Sequence, residues 1–252
     1  MADKLMTYGE HLEELRRRLT ISLLVLVVTT VFSFIVAERW LFPIIKSPAP
    51  EGVQFVTLDP TGNIGPFIRL SLTSGVVLAM PFVLLQIALF ITSALGERER
   101  RFVLIMLPVV LIFFFGGIAF GYFVILPPAV NFMLSYGNEN IAVITPAISR
   151  YISMVTTLLL WLGVSFEIPP AIYVLARIGI VSSKWLIGNW RIIIVGAFVL
   201  GAIITPTADP VNQSLVAVPL LGLFLLGIAL ARIAEAQRRR SVKRGQIVGQ
   251  EG

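Results

Sequence analysis

Four stretches of this chain are apolar over the length needed to cross a bilayer: Leu19–Ala37, Leu70–Leu95, Phe102–Leu126 and Tyr151–Ala176. A helix covers the hydrocarbon core with about 20 residues. Backbone groups there must be satisfied within the segment, so such runs fold as α-helices. Two further runs are shorter: Ile192–Ile204 has 13 residues and Leu215–Ala231 has 17. The turn between them, TPTADPVNQS, holds two prolines and an aspartate and reads as a tight polar hairpin. The sequence therefore predicts an all-α integral membrane protein of six transmembrane helices. The last two are short enough to thin the bilayer or to need shielding by neighbours. Charged residues make up only 13% of the chain, roughly half the share of a soluble domain.

Lys and Arg mark the cytoplasmic side of a membrane protein. The N-terminal segment, the loops 96–101 and 177–191, and the tail from Arg232 hold 16 of the 20 basic residues. Arg39, Lys46, Arg69 and Arg150 fall on the other side. Both termini are therefore expected in the cytoplasm. The chain divides into an amphipathic N-terminal helix at 1–18, a membrane domain at 19–231 with outer loops 38–69 and 127–150, and a basic tail at 232–252. The first outer loop is too rich in Pro and Gly for a long helix, and Pro127 and Pro128 are expected to end the third span. The tail beyond Arg240 reads as disordered. The first apolar run is longer than a signal-peptide core and no convincing cleavage site follows, so it is expected to stay in the membrane. Gly117 and Gly121 form a small-xxx-small pattern that lets another helix come close, or occur by chance in a Gly-rich chain.

Several chemistries are excluded. There is no cysteine, and His11 is the one histidine, so no metal site or other cofactor is expected. No phosphate-cradling Gly-rich loop occurs, so any work is driven by something other than nucleotide hydrolysis in this chain. Little polar sequence is available to present a nucleic-acid-binding patch. The chain does not read as an enzyme.

Three acidic features need a reason. In EHLEELRRRL, residues 10–19, Leu12, Leu15 and Leu19 share one helical face, and Glu13 and Glu14 lie off it. These glutamates either pair with Arg17 and Arg18 at i+4 or receive a cation from another molecule. In GERERR, Glu97 and Glu99 face the same compartment, and either sit in a solvated turn or join the first cluster in one binding surface. In LWLGVSFEIPPAIYVL, Glu167 is the charged residue of the fourth span. An ionised carboxylate in hydrocarbon costs at least ~2.5–3.5 kcal/mol, so it faces a partner or a cavity. Alternatively, a protonated Glu167 donates to a carbonyl freed by Pro169 and Pro170. Asp209, in the outer hairpin, reads mainly as a turn residue. A small proton-coupled transporter using Glu167 is the rival class; the lack of an internal repeat counts against it.

Four segments together, HLEELRRRL, ALGERERR, LGVSFEIPPAIYVLARIGIVSS and ITPTADPVNQSLVAVPL, resemble in order the TatC family, the membrane core of the twin-arginine protein translocase. One departure is Pro60-Thr61-Gly62, where the family often has Pro-Thr-Glu. The resemblance implies a receptor in a plasma or thylakoid-type membrane that binds Arg-Arg signal peptides of folded cargo. It implies single-span partners, TatA and TatB, in a multimeric complex, and transport driven by the proton-motive force. It implies Glu14 and Glu99 as acceptors of the signal arginines, with Arg16 and Arg17 in the same site. It implies Glu167 as an intramembrane contact for a partner helix or the signal peptide.

Overall fold

The computed structural model describes residues 8–50, 53–57, 64–93, 97–135, 145–205 and 210–248, with side chains described except at 8, 97–99, 134–135 and 239–248. Among these, helix α1 (Tyr8–Val36) continues through a π-helical turn (Ala37–Leu41) into α2 (Phe42–Lys46). Helix α3 spans Ile64–Ser93. Helix α4 (Glu97–Phe120) passes through a second π turn (Gly121–Ile125) into α5 (Leu126–Ser135). Then come α6 (Ile148–Ser165), α7 (Ile168–Ile178), α8 (Ser183–Gly188), α9 (Trp190–Ile204) and α10 (Pro210–Val248).

Five of the helical stretches are long and apolar enough to cross a membrane, and α9 is a shorter apolar helix. Its 15 residues extend about 22 Å at 1.5 Å per residue, well short of the ~30 Å hydrocarbon core. The expectation of a short final pair holds for α9 alone. Helix α10 runs 39 residues, because its polar end beyond Ala231 stays helical and packs on α7 and α8. Tyr173 donates to Gln237 Oε1 at 3.0 Å, and Glu235 accepts from the backbone N–H and the hydroxyl of Ser183, which opens α8. The tail past Arg240 is correspondingly helical to Val248 rather than disordered.

Pro127 and Pro128 do not end the third span either. The chain turns through the wider π turn just before them, and helix resumes through Ser135. Shifting to i→i+5 bonding, seen in Leu126 N–H to Gly121 O, realigns the carbonyls that two prolines without N–H groups would otherwise leave unpaired or in clash. The first outer loop is likewise partly helical, to Lys46. Tyr122 and Tyr151 donate to Ile44 O (2.7 Å) and Ile45 O (2.8 Å), and Val56 bridges to Ala147, so this end of the bundle is tied together.

Helix α6 forms the centre. Tyr151, Ile152, Val155, Leu158 and Leu162 are all buried. Helix α1 is peripheral and exposes Leu23, Leu24, Val27, Val28 and Ile35, the surface expected of a helix whose neighbour is lipid. Helices α1 and α3 run antiparallel, with His11 against Phe90, Arg18 against Gln86, Thr29 against Gly75 and Phe34 against Phe67. The small-xxx-small pattern is a real contact. A Cβ on Gly117 would lie 2.7 Å from Phe166 Cγ and 2.8 Å from Leu162 O, and one on Gly121 2.9 Å from Leu162 Cδ1.

Candidate functional site

The α1/α3 pairing gathers a polar nook where α1 begins and α3 ends. Glu14 and Arg18 lie one turn apart on α1, and Arg18 Nη2 donates to Glu14 Oε1 at 3.0 Å. Arg18 Nη1 reaches across to Gln86 Oε1, also at 3.0 Å. One turn earlier the His11 ring stacks on Phe90 with centroids 4.6 Å apart. The Glu14 side chain is only 16% exposed. Its Oε2, and Arg18 Nε, are buried without a hydrogen-bond partner among the described residues. Ser93 stands beside Glu14, with its hydroxyl turned onto Phe90 O at 2.7 Å.

The charged start of α1 precedes the apolar segment that enters the membrane. There, burial pushes the Glu14 carboxyl up. The Arg18 hydrogen bond, the nearby Ser93 hydroxyl and the charges of Arg18 and His11 together outweigh burial and hold it below the ordinary glutamate range. The group is thus an ionised carboxylate with one oxygen on Arg18 and the other buried and unpaired among the described residues. A carboxylate offers about four acceptor sites, of which the Arg18 bond fills one, and a guanidinium is the strongest donor for the remainder.

Of the two pairings the sequence allowed, Glu14 with Arg18 forms. Glu13, Arg16 and Arg17 are exposed, and among the described residues none of them forms an ion pair. Glu97 and Glu99 fall in the first turn of α4. Only residues 94–96 separate that turn from Ser93 at the nook, so the backbone brings both acidic clusters to one end of the bundle. The side chains of Glu97 and Glu99 lie outside the described residues, as do Asp209 and Pro60-Thr61-Gly62. Sequence reasoning passed over Gln86. The rule that singles out polar residues in spans would have found it, an amide in the apolar run Leu70–Leu95.

Glu167 sits at the break between α6 and α7. Pro169 and Pro170 occupy the first turn of α7, where a missing N–H costs nothing. The Glu167 backbone caps that turn, with its C=O accepting from Ala171 N–H at 3.0 Å. Glu167 Oε1 is buried without a hydrogen-bond partner among the described residues, and the alternative of a bond to a backbone carbonyl is not seen there. Phe166 beside it packs on Phe120 with ring centroids 5.4 Å apart.

The family model described as "Sec-independent protein translocase protein (TatC)" matches residues 10–219. A "Sec-independent protein translocase protein TatC" of Koribacter versatilis is 35% identical over 252 residues, covering 96% of this chain and 90% of that one. The "Sec-independent protein translocase protein TATC, chloroplastic" of Arabidopsis thaliana is 34% identical over 235 residues, covering 92% of this chain and 68% of that one. A solved structure described as "Crystal Structure of Twin Arginine Translocase Receptor- TatC" superposes with a TM-score of 0.82 at 36% identity, covering 89% of this chain and 99% of that one.

Proposed function

The chain belongs to the TatC family of Sec-independent protein translocase proteins, and from that membership we propose that it is the signal-peptide receptor and organising core of a twin-arginine translocase. It is a multi-pass protein of an inner or thylakoid-type membrane. In this reading it binds the Arg-Arg motif of folded cargo at its cytoplasmic face, with Glu14 and Glu99 as acceptors. It recruits TatA and TatB and draws on the proton-motive force. The observation that carries the reading is the half-engaged carboxylate of Glu14, oriented by Arg18 and Gln86. Titrating the purified full chain with an Arg-Arg signal peptide and its Lys-Lys counterpart tests it. Tighter binding of Arg-Arg is expected, because an ammonium lacks the planar fork; equal binding of the two would remove the basis for the assignment.

The reading includes six crossings with both termini inside, α9 being the short one. Single cysteines at Ser47, Asn138 and Asp209 are expected to react with an impermeant reagent from outside, and one at Ser241 to stay unlabelled. Outside labelling at Ser241 would invert the arrangement.

Glu167 belongs to a different contact. Its unpartnered carboxyl at a helix break in the apolar region supports a hydrogen bond to a partner's transmembrane helix. Such bonds contribute about 1 kcal/mol in membranes, roughly a fivefold change in association. Glu167→Ala is therefore expected to reduce co-purification of the single-span partners severalfold, and Glu167→Gln, which keeps donor and acceptor, to retain most of it. Undiminished co-purification with the Ala variant would eliminate this role.

A further inference from the structure

Arg69 and Arg150 are two of the four basic residues that fall outside the cytoplasmic clusters. Arginine there works against the charge bias that orients the chain, so its presence calls for another use. Both line one open cavity of about 1070 Å³ between the starts of α3 and α6. Arg69 lies along α6, its Nη2 donating to Thr157 Oγ1 at 2.7 Å and its Nε to Thr156 Oγ1 at 3.4 Å. Among the described residues no carboxylate comes within ion-pair distance of either arginine. Apart from the Trp161 indole, the rest of the polar side-chain lining is hydroxyl, from residues such as Ser149 and Ser153.

Behind this mouth lies an apolar chamber of about 440 Å³ that shares Thr73, Thr156 and Leu160 with it and is walled by Leu78, Phe115 and Ile118. Leu78 is nine residues along α3 from Arg69, about 13 Å at 1.5 Å per residue. The groove thus runs from a cationic, hydroxyl-rich mouth along an apolar cleft whose walls, Leu78 and Phe115, face outward, the polarity profile of a single-headed anionic amphiphile. Basic pockets between transmembrane helices on the cytoplasmic side take phosphate headgroups, and the same chemistry serves on the outer side, since guanidinium matches phosphate oxygens in pairs. With two cations and no described acid to receive an ammonium, a net anionic headgroup fits better than a zwitterionic one.

We propose that Arg69 and Arg150 hold the phosphate of an anionic phospholipid at the mouth of the α3/α6 groove, with an acyl chain in the apolar chamber behind it. The site is separate from the Glu14 nook and stands whether or not that nook binds signal peptides.

Native mass spectrometry of the full chain in detergent, with added phosphatidylglycerol or phosphatidylcholine of matched chains, tests this. The expected result is about a tenfold preference for phosphatidylglycerol. It should fall to near unity in the double variant Arg69→Gln, Arg150→Gln and return in part in Arg69→Lys, Arg150→Lys. Lipid-free melting by circular dichroism should be alike in all three proteins. A Ser74→Phe variant, filling the chamber, is expected to lose lipid while keeping both arginines. Equal binding of the two lipids overturns the proposal, as does a preference that survives in the Gln variant. Full displacement of the lipid by millimolar glycerol phosphate would assign the mouth to a free phosphate and overturn it as a lipid site. If the Gln variant melts early, the Lys variant decides: with both cations kept, loss of the preference sinks the idea.

Discussion

Glu14→Gln is expected to weaken binding of an Arg-Arg signal peptide about tenfold. Hydrogen bonds to charged groups contribute ~1.5–3 kcal/mol net, while exposed ion pairs give ~0.2–1. Glu14, mostly covered between α1 and α3 and with one oxygen unpaired, should fall between these limits, and 1.4 kcal/mol is a factor of ten. Glutamine is the informative replacement. It keeps an acceptor for Arg18, so the start of α1 stays docked on Gln86 while the charge that attracts the peptide is gone. Glu14→Ala would also strand the Arg18 guanidinium and mix a folding defect with a binding one. Glu13→Gln, at an exposed position beside it, is the control and should bind as wild type. Glu99→Ala should weaken binding by a similar factor if the second acidic cluster shares the site. Wild-type affinity in both the Glu14 and Glu99 variants would leave Glu14 with a purely local role, holding Arg18.

Gly117→Leu is expected to cost the most stability of any single change considered. Its Cβ would meet Leu162 O and Phe166 Cβ, each at 2.8 Å. The first is backbone and the second is the root of a side chain pressed against Phe120, so neither gives way by rotating. Overpacking of this kind costs about 1–3 kcal/mol and occasionally more, a large part of a net stability of about 5–15 kcal/mol. The adjacent Gly116 has nothing within 4 Å of its Cβ position, so Gly116→Leu only adds apolar surface. At Gly121 the nearest atoms are tips of leucines, 2.9 and 3.1 Å away, and Leu there should cost less than at Gly117. Thermal unfolding of the three variants in detergent should rank Gly117 well below Gly121, with Gly116 near wild type. Equal melting of the Gly116 and Gly117 variants would mean that α4 and α6 do not pack through this seam.

Much of this architecture is legible along the chain because the bilayer allows so few solutions. An apolar run in hydrocarbon must satisfy its own backbone, which makes α3 and the long stretches around α1, α4 and α6 readable from composition alone. Glu167 stands out for a related reason, since a carboxylate in such a run is costly wherever it points. The i+4 relation of Glu14 and Arg18 is also written locally.

What the chain does not announce depends on neighbours far away in sequence. Arg18 is turned toward Gln86, 68 residues on, only because α1 and α3 pack antiparallel, and that contact leaves one oxygen of Glu14 unpaired. Pro127 and Pro128 look like a stop, yet helix passes through them because a π turn packed on α6 realigns the carbonyls. The polar end of α10 carries little apolar sequence, with Ala234 its buried contribution to the cluster of Ile172, Ala176 and Leu186. It is helical where Glu235 caps α8 and Gln237 meets Tyr173. Local pattern decided which segments enter the membrane, because solvation acts on each residue by itself. Tertiary packing decided where helices end and which polar atoms stay unpaired, because those depend on whether a partner arrives from elsewhere in the fold.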